Sequence, residues 1–318
     1  MKPTLGTTRS LNRESGKRSD EAFIKAQLER ADTRFLVLAD QKPIINSDAE
    51  RTSASIRWLT RADLAEAGLP FAPEECLFLG VDPKSGYAHF AIGVTEHRTR
   101  SAPGVLEYLR PAVDLRSLAM QGIMSSEELS LAGQAKALVH WHESTRCCGF
   151  CGGTTLVKDG GWKRKCWACG AEHFPRTDPV VIMLVVDKAT HRCLLGHEAR
   201  FPKEPRMYST LAGFIEPGED FEHAVQREVM EETGVTIGEV VFHSTQPWPF
   251  PHSLMIGCIG LATSTDIKIN PDEIEEARWF GVEEVQQMLD GCHPEKWWVP
   301  GKQAIARALI QSFVDGKM

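Results

Sequence analysis

Apolar residues in the first third of the chain come in short runs separated by turn residues. Such runs, bounded by Gly, Pro or Asp, predict β-strands. Between residues 21 and 102 they occupy Arg34–Leu38, Ser55–Leu59, Cys76–Gly80 and Tyr87–Val94. We therefore expect mostly β-structure here. The polar, aperiodic residues 1–20 before it are expected to form a disordered tail.

The apolar spacing becomes helical after residue 102. Helices are predicted at Val105–Arg110, at Leu115–Met120 and over the longer stretch Ser125–Glu143. A serine at the start of the last one can cap it, with glutamates in the first turn. Together with the preceding strands, these helices make residues 21–145 a β-rich α+β domain.

Residues 176–318 mix longer apolar runs with amphipathic segments. Val180–Val186 is a continuous apolar run typical of a buried strand. Further strands are predicted at residues 192–196, 209–213, 235–242, 253–262 and 277–280. Amphipathic spacing predicts helices at residues 282–289 and 301–314. Mixed strands around such helices predict an α/β fold, an α/β/α sandwich.

The segment Gly213–Val235 predicts a turn, a helix and a sharp stop. Pro217 and Gly218 break the chain, Glu219 or Asp220 can cap the helix, and Gly234 suits its end. Apolar positions 221, 224, 225 and 229 form one stripe along this helix. If the stripe is continued, it reaches positions 228 and 232, and both are glutamates.

Three carboxylates therefore share one face of the predicted helix, those of Glu228, Glu231 and Glu232. Like charges at this spacing repel one another and need partners when partly buried. A hard cation such as Mg²⁺ or Mn²⁺ meets both needs, because it takes oxygen ligands and bridges carboxylates to phosphates. Arg227 lies on the flank, where it can fix a carboxylate. The alternative is a solvated acidic helix end.

Four cysteines form two CxxC pairs, Cys148 with Cys151 and Cys166 with Cys169, each followed by glycine. Each pair can turn its thiolates to one point, and two such knuckles make a tetrahedral Zn²⁺ site. A site saturated by four thiolates has no open position. We therefore expect one structural Zn²⁺ per chain, with redox-active thiols as the alternative.

The sequence between the two pairs has the pattern of a hairpin. Residues 154–158 and 162–165 are short β-prone segments joined by Asp159–Gly161, as in a zinc ribbon. We place this ribbon at residues 146–175. Other candidate ligands nearby are His140, His142 and Cys147.

Composition narrows the class of protein. The chain of 318 residues has ordinary apolar and charged fractions and a net charge of −7, which argues against a dedicated nucleic-acid-binding protein. No apolar run suits a membrane span, and the N-terminus lacks the apolar core of a signal peptide. Nine cysteines with this spacing suit a reducing compartment, so we expect a cytoplasmic protein.

A proline-rich segment, Thr245–Ser253, reads TQPWPFPHS. Its alternating prolines fix φ and are expected to hold Trp248 and Phe250 in a stiff extended loop. Rigid aromatic rings lose little entropy on binding and can stack on a flat base. From the residues alone, a purely structural loop or a docking peptide for a partner's groove is the alternative.

At these motifs the chain resembles a known family. Residues 213–235 match every fixed position of the Nudix hydrolase box, at Gly213, Glu219, Arg227, Glu228, Val229, Glu231, Glu232, Gly234 and Val235. The proline-rich segment resembles the SQPWPFPxS signature of the NADH pyrophosphatase branch. That branch also has a four-cysteine zinc ribbon and a β-rich, Nudix-like N-terminal domain. The resemblance implies a catalytic Nudix domain at residues 176–318.

The resemblance also implies site residues. The catalytic residues would be Arg227, Glu228, Glu231 and Glu232. The ligands of Mg²⁺ or Mn²⁺ would be Ala212 through its carbonyl, Glu228, Glu231, Glu232 and Glu273. Substrate contacts would be made by Phe174, Gln246, Pro247, Trp248, Pro249, Phe250, Pro251, His252, Ser253 and Ala306. Phe174 stands where members often have Tyr, and Thr245 replaces the first Ser of the signature.

The activity implied is metal-dependent hydrolysis of the pyrophosphate of NADH or NAD⁺ to a nicotinamide mononucleotide and AMP. The family also removes NAD caps from RNA 5′ ends, and its members are often homodimers. One alternative is a Nudix hydrolase for ADP-ribose, diadenosine polyphosphates or another nucleoside diphosphate derivative. The other is a zinc-ribbon RNA-binding protein, suggested by the basic residues Arg146, Lys158, Lys163, Arg164 and Lys165.

Overall fold

The structure is a computed structural model of the chain, and it describes residues 11–69, 72–95 and 108–317. The first half of the predicted helix Val105–Arg110 and the first half of the predicted tail lie outside these ranges. The described chain forms two compact units. The N-terminal unit holds residues 11–176 and 249–252, and the C-terminal unit holds residues 177–248 and 253–317.

The N-terminal unit begins with a four-stranded sheet and its helices. The strand order is β2-β1-β6-β5, in which β1 runs parallel to β6, and β3 and β4 form a separate pair. The elements are α1 (Glu21–Glu29), β1 (Arg34–Ala39), β2 (Lys42–Pro43), β3 (Ile45–Ser47), β4 (Ala54–Ile56), α2 (Arg61–Glu66), β5 (Leu77–Val81), β6 (Ala88–Val94), α3 (Leu115–Gln121) and α4 (Ser126–Ser144).

The expectation of mostly β-structure after residue 21 missed α1. Asp20 caps this helix, because its side chain accepts hydrogen bonds from the backbone N–H groups of Ala22 and Phe23. Residues 11–20, expected to be part of a disordered tail, are ordered instead. Asn12 and Val81 exchange two backbone hydrogen bonds of 2.8 Å, which attach this segment to β5.

The zinc ribbon follows as β7 (Thr155–Lys158), β8 (Lys163–Cys166) and β9 (Glu172–His173), with a 3-10 turn at Asp159–Gly161. The predicted hairpin is thus present. The ribbon packs on the preceding domain: the indole Nε1 of Trp162 donates a 2.7 Å hydrogen bond to the carbonyl of Phe78. The predicted boundary at residue 146 therefore divides one compact unit.

The C-terminal unit has a mixed sheet in the order β13-β14-β10-β11-β15, and β12 pairs with β10. The elements are β10 (Asp178–Asp187), β11 (Arg192–His197), β12 (Leu211–Phe214), α5 (Phe221–Thr233), β13 (Ile237–Trp248), β14 (Ser253–Ala262), β15 (Glu276–Gly281), α6 (Val282–Asp290) and α7 (Ile305–Val314). Strands and helices lie where the sequence predicts them.

Both faces of β10 are covered, which explains its continuous apolar run. Val181, Met183 and Val185 share a core with Val225 and Val229 of α5. The alternate residues of β10 share a second core with Leu309 and other residues of α6 and α7. This is the predicted α/β/α sandwich, with α5 on one side of the sheet.

The ends of α5 follow from the sequence. Asp220 caps the first turn by accepting a hydrogen bond from the backbone N–H of His223. Gly234 ends the helix with a φ of 69°, which side chains with a Cβ rarely adopt. Within the described ranges, no helix combines the length and apolarity needed to cross a membrane.

The contact between the ribbon and β5 gives a stability prediction. A Cβ at Gly161 would lie 2.7 Å from Leu77 Cδ2 and 3.1 Å from Leu77 Cα, at a φ of +94°. At Gly86, φ is +73° and a Cβ would meet nothing within 4 Å. We expect Gly161→Ala to lower the free energy of unfolding by about 1–3 kcal/mol more than Gly86→Ala, because only the first overpacks.

Urea unfolding of both variants, with zinc content measured in parallel, checks this. Equal losses of stability would show that the contact with Leu77 is not what constrains residue 161.

Candidate active site and zinc centre

Arg227, in the middle of α5, is the centre of a charged network that reaches the turn before the helix. Its Nε and Nη2 donate to the two carboxylate oxygens of Glu219, at 2.8 and 2.9 Å. Its Nη1 donates to Glu228 at 2.9 Å and to Glu231 at 3.0 Å. The second proton of Nη2 goes to the carbonyl of Phe214 at 2.9 Å. All five guanidinium N–H donors are therefore used, and one cation fixes three carboxylates.

Glu219 is held in its charged form by this network. Hydrogen bonds from Arg227 lower the pKa of the Glu219 carboxyl to about 2. Its side chain also accepts a hydrogen bond from the backbone N–H of Glu216 in the turn before the helix. Glu219 therefore anchors the turn and orients Arg227, which in turn orients Glu228 and Glu231.

Gly213 leaves the space that Glu228 occupies. A Cβ at residue 213 would lie 1.8 Å from the carboxyl carbon of Glu228 and about as close to its two oxygens. Gly213 lies on β12, directly after Ala212, whose carbonyl was predicted to bind a metal. The absence of a side chain at residue 213 thus brings the Glu228 carboxylate against the backbone beside Ala212.

The surroundings of the Glu228 and Glu232 carboxyls disfavour their charged form. Burial raises the pKa of Glu228, with neighbouring Glu231 and Glu273 adding to the effect against the pull of Arg227. Burial also raises the pKa of Glu232 to about 8, with contributions from Glu228, Glu198 and Glu273. Partly buried like charges favour the protonated form unless a cation replaces the proton.

Glu273 reaches this cluster from another part of the chain. The backbone N–H of Asn270 donates to the carbonyl of Glu232 at 3.0 Å, and that of Lys268 donates to Thr233 at 2.7 Å. The N–H of Glu273 then bonds to the carbonyl of Asn270 at 3.1 Å. The loop is therefore tied to the end of α5, and the Glu273 charge acts on both Glu228 and Glu232.

The donor set fits a hard divalent cation. Carboxylate oxygens and a backbone carbonyl are the ligands that Mg²⁺ and Mn²⁺ take, and a cation would relieve the repulsion among them. The residues in question are Ala212, Glu228, Glu231, Glu232 and Glu273. Within the described ranges, the four cysteines are the only group of candidate metal ligands whose ligand atoms are converged, all within 4.8 Å of one another. The carboxylates of the α5 cluster do not form such a converged group. Arg227 already holds two of them.

The zinc centre has the predicted four ligands. The Sγ atoms of Cys148, Cys151, Cys166 and Cys169 all lie within 4.8 Å of one another. Cys148 and Cys169 are 3.7 Å apart at Sγ, and Cys151 and Cys166 are 3.5 Å apart. Four thiolates around Zn²⁺ with bonds of about 2.3 Å would be about 3.8 Å apart, so the group fits a structural zinc.

The glycines after the cysteine pairs shape the knuckles. Gly152 and Gly170 have φ values of 72° and 75°, as the left-handed turn of each knuckle requires. A Cβ at Gly153 would lie 3.3–3.4 Å from the sulfurs of Cys166 and Cys151. His173 supports the centre, because its Nε2 is 3.3 Å from the Sγ of Cys148, where an imidazole N–H can donate to a thiolate.

His140 and His142, considered as zinc ligands, do not belong to the converged group. His142 instead joins α4 to the ribbon: its Nε2 is 2.7 Å from the carbonyl of Gly161, and its Nδ1 is 2.7 Å from Nη1 of Arg164. Burial, with the nearby Arg164 charge, lowers the pKa of His142 to about 4. A neutral ring therefore donates to Gly161 and accepts from Arg164.

The contacts of Arg164 with His142 were not predicted, because a charged residue in a short strand is expected at the surface. In the structure Arg164 is only 8% exposed. Its Nε donates to the hydroxyl of Thr155, and its Nη2 donates to the carbonyl of the same residue. Arg164 therefore belongs to the interior of the ribbon. The signal that could have indicated it is its place two residues before the zinc ligand Cys166, on the same face of β8.

The proline-rich segment is part of a hairpin. Residues up to Trp248 belong to β13, Trp248 pairs with Ser253 of β14, and Pro249–His252 form the turn. The expected stiff extended loop is thus wrong for its first half. Pro247 is tolerated in a strand because β13 lies at the edge of its sheet, where a missing N–H breaks no ladder.

Two of the residues predicted to contact substrate are buried. Gln246 is fully buried, its amide oxygen accepts from the N–H of Ile305, and its amide nitrogen donates to the carbonyl of Gln303. Ala306 is 3% exposed and belongs to the core under α7. Their side chains therefore position β13 and α7, and substrate contacts at these two residues stay a prediction.

The other residues of the segment are half-buried or exposed, except Pro249, which packs against Gly133 of α4. Trp248 and Ser253 lie in the C-terminal unit with the box glutamates, and His252 lies in the N-terminal unit with Phe174. Phe174 is 62% exposed. Phe174 and His252 line one cavity of about 600 Å³, together with His140, Glu172 and Arg176.

Three models of known protein domains match this chain. The NUDIX domain model matches residues 176–304, the NADH pyrophosphatase zinc ribbon domain matches residues 143–174, and the NADH pyrophosphatase-like rudimentary NUDIX domain matches residues 32–141. The three domains follow one another in the order that the sequence motifs indicate.

Curated relatives agree with this arrangement. NAD-capped RNA hydrolase NUDT12 of Homo sapiens is 44% identical over 199 residues, which cover 60% of this chain and 43% of that protein. NAD-capped RNA hydrolase NudC of Mycobacterium bovis is 41% identical over 208 residues, covering 64% and 65%. Nudix hydrolase 19, chloroplastic, of Arabidopsis thaliana is 37% identical over 277 residues, covering 81% and 62%.

The chain thus spans less than two thirds of the length of each of these relatives. The matched domains nevertheless include the Arg227 network, the glutamates of α5 and the converged cysteines. The chain therefore belongs to the Nudix hydrolase family and carries, ahead of its NUDIX domain, the zinc ribbon and the rudimentary NUDIX-like domain that are named for NADH pyrophosphatase.

Proposed function

We propose that this protein hydrolyses the pyrophosphate of NADH or NAD⁺, giving a nicotinamide mononucleotide and AMP, and that it removes NAD caps from RNA 5′ ends. The observation that carries this proposal is the glutamate cluster of α5. Arg227 fixes Glu228 and Glu231, Gly213 makes room for Glu228, and burial leaves Glu232 in need of a positive charge. Such a cluster suits a cation that is shared with a diphosphate.

The chemistry follows from charge and position. Ala212, Glu228, Glu231, Glu232 and Glu273 would hold Mg²⁺ or Mn²⁺, which would supply charge neutralisation and lower the pKa of a bound water. The water oxygen forms a bond to one phosphorus, the bridging P–O bond breaks, and the leaving phosphate keeps the electron pair. One glutamate of the cluster takes the proton of the water. Arg227 holds the carboxylates in place throughout.

The substrate proposal depends on the relatives and on the aromatic segment. NUDT12 and NudC are named NAD-capped RNA hydrolases, and the matched NUDIX domain of this chain, residues 176–304, includes the segment around Trp248. Trp248 and Phe250 are half-buried, so each shows part of its ring to solvent. A partly exposed ring held by neighbouring prolines is suited to stacking on a nucleotide base.

Two other functions were considered. A preference for ADP-ribose or a related nucleotide would keep the metal chemistry and change only the role of Trp248. A pure RNA-binding role for the ribbon fits the complete glutamate cluster poorly, because the like charges of Glu228 and Glu232 contribute nothing to RNA binding.

The resemblance to the NADH pyrophosphatase branch supports two further proposals. One is a homodimer. The other is a cytoplasmic location, since four zinc-binding thiolates suit a reducing compartment.

Product analysis tests the proposal. With Mn²⁺ or Mg²⁺, we expect release of AMP and a nicotinamide mononucleotide, faster from NADH or NAD-capped RNA than from ADP-ribose. Glu231→Gln and Glu232→Gln should lower kcat at least about 100-fold, because each removes a charge that neutralises the metal site. Glu222→Gln on the same helix is the matched control and should keep full activity.

Zinc content and thermal unfolding of these variants show whether they fold. Full turnover by both Glu231→Gln and Glu232→Gln would refute the role of the cluster. Hydrolysis of ADP-ribose alone would leave the chemistry in place and refute the substrate.

Metal binding should release a proton. The Glu232 pKa of about 8 in the folded, metal-free protein lies above its ordinary value of 4.5, so the folded protein keeps this proton at neutral pH. The stability contribution of this group is complete below about pH 4.5 and is lost as the pH rises through about 8. Mn²⁺ must displace the proton, so its affinity should rise with pH by up to about tenfold per unit until about pH 8.

Calorimetric Mn²⁺ titrations at two pH values, each in two buffers of different ionisation enthalpy, count the released protons. Glu222→Gln should behave as the wild type, whereas Glu232→Gln should lose both the proton release and much of the affinity. Affinity that is independent of pH would contradict the raised pKa of Glu232.

Trp248→Ala tests the role of the aromatic segment. If the Trp248 ring stacks on the dinucleotide, its loss should raise the KM for NADH by about tenfold and change hydrolysis of ADP-ribose much less. Phe242→Ala is a matched control, because Phe242 is an exposed aromatic residue on the same strand. Equal effects on NADH and ADP-ribose would show that Trp248 does not read the nicotinamide half.

A further inference from the structure

The outward face of the zinc ribbon shows a regular alternation of exposure. Along β8 and into the second knuckle, Arg164 and Cys166 are buried, whereas Lys165 and Trp167 are exposed. On β7, Leu156 is the register partner of Lys165 and is exposed as well. In an antiparallel pair, register partners lie on the same side of the sheet. Leu156, Lys165 and Trp167 therefore lie on one surface, which we term the ribbon face. The exposed Glu172, the register partner of Lys165 on β9, lies on it as well.

The apolar part of the ribbon face is unusually open. Trp167 is 79% exposed and Leu156 is 50% exposed. A single exposed apolar residue needs no explanation, but two neighbours on one sheet face form a patch that suits a binding partner. The backbone N–H of Trp167 bonds to the carbonyl of Thr154 at 3.0 Å, so the indole is carried by the sheet and the zinc knuckle. The backbone that carries the indole is thus held in place before any partner arrives.

Charge separates the ribbon from the rest of the chain. Residues 146–175, the ribbon, contain five Lys and Arg against two Asp and Glu, a net charge of +3, whereas the whole chain carries −7. Four thiolates around Zn²⁺ add two negative charges, and the ribbon remains positive by one. An anionic partner is therefore attracted to this segment and repelled by the remainder.

Lys165 is the cation of the ribbon face that is available to such a partner. Lys158 pairs with Glu21, and Lys163 pairs with Asp159 and Glu172. For Lys165, no ion pair is found with any residue that the structure describes, and its side chain is exposed. A lysine beside an open indole combines a phosphate contact with a stacking surface.

We propose that the ribbon face binds single-stranded RNA, with Trp167 stacking on a base, Leu156 packing against its edge and Lys165 contacting the backbone phosphate. The inference rests on the proposed action on NAD-capped RNA, whose body extends beyond the cap as an anionic single strand. Covering the flat indole requires an unstacked base. Single strands offer such bases and duplexes do not. The positive charge favours RNA over an apolar protein partner.

RNA binding is the first test. Fluorescence anisotropy with the zinc-loaded full chain and a labelled, uncapped single-stranded RNA measures affinity without any hydrolysis. We expect Trp167→Ala to weaken binding about 5- to 100-fold, and Lys165→Gln to reduce the slope of log affinity against log salt by about 0.7. Zinc content and thermal unfolding should be unchanged, since both side chains are exposed.

Phe150→Ala is the matched control. Phe150 is 82% exposed in the first knuckle, but its ring lies 6.0 Å from that of His173, whose register partner Arg164 belongs to the buried side of the sheet. It should bind RNA as tightly as the wild type. Equal losses in Phe150→Ala and Trp167→Ala, or no loss in Trp167→Ala, would overturn the proposal.

Hydrolysis separates this proposal from the proposed function. Trp167→Ala should hydrolyse NADH with unchanged kcat and KM and should raise the KM for NAD-capped RNA with kcat retained. A wild type inactive on both substrates would refute the proposed function, while the anisotropy result would still decide the ribbon face. A variant that changes only the oligomeric state in light scattering, with RNA affinity intact, would identify the face as a contact between copies and overturn the RNA proposal.

Discussion

Like charges held on a buried helix face are the constraint around which the C-terminal unit is organised. Glu228 and Glu232 replace apolar residues in the stripe of α5, so the sheet cannot simply close over them. Arg227 offsets part of this repulsion, because all five of its N–H groups donate hydrogen bonds, to the carboxylates of Glu219, Glu228 and Glu231 and to the carbonyl of Phe214. Among the residues that the structure describes, no side chain makes a hydrogen bond or ion pair with the Glu232 carboxyl, and burial raises its pKa so that the protonated form is favoured. The instability that remains is specific: a divalent cation relieves it and an apolar ligand does not.

Sequence patterns predicted this region well because each signal is local. Helix α5 is specified by an N-cap residue, a glycine at its end and one apolar stripe, all within about twenty residues, and each lies where the sequence predicts it. The cysteine pairs are equally local, since the knuckle glycines set the turn directly. The order of strands could also be predicted, because a continuous apolar run such as β10 indicates a strand with both faces covered.

What the sequence did not predict depends on distant partners. Gln246 looked like a ligand-binding residue, but its amide is completed by Gln303 and Ile305, more than fifty residues away. Arg164 looked like a surface cation, and only its fit against His142 and Thr155 shows that it is interior. Helix α1 was missed although Leu28 lies in the core beside the four-stranded sheet, with Phe23 and Ile24 packed against that core. In each case tertiary contacts outweighed local composition.

An acidic protein can act on an anionic polymer only if some of its positive charges lie apart from its negative charges, on a surface that the polymer can reach. Here the glutamates are gathered on α5, where they need a cation, and Lys165 is exposed on the surface of the ribbon. A small substrate such as a dinucleotide requires only the first arrangement. An open tryptophan beside an unpaired lysine adds nothing to the hydrolysis of a diphosphate, yet it leaves apolar surface in water, which is unfavourable in the free protein. That pairing is accounted for if the natural substrate carries a chain of bases beyond its reacting end.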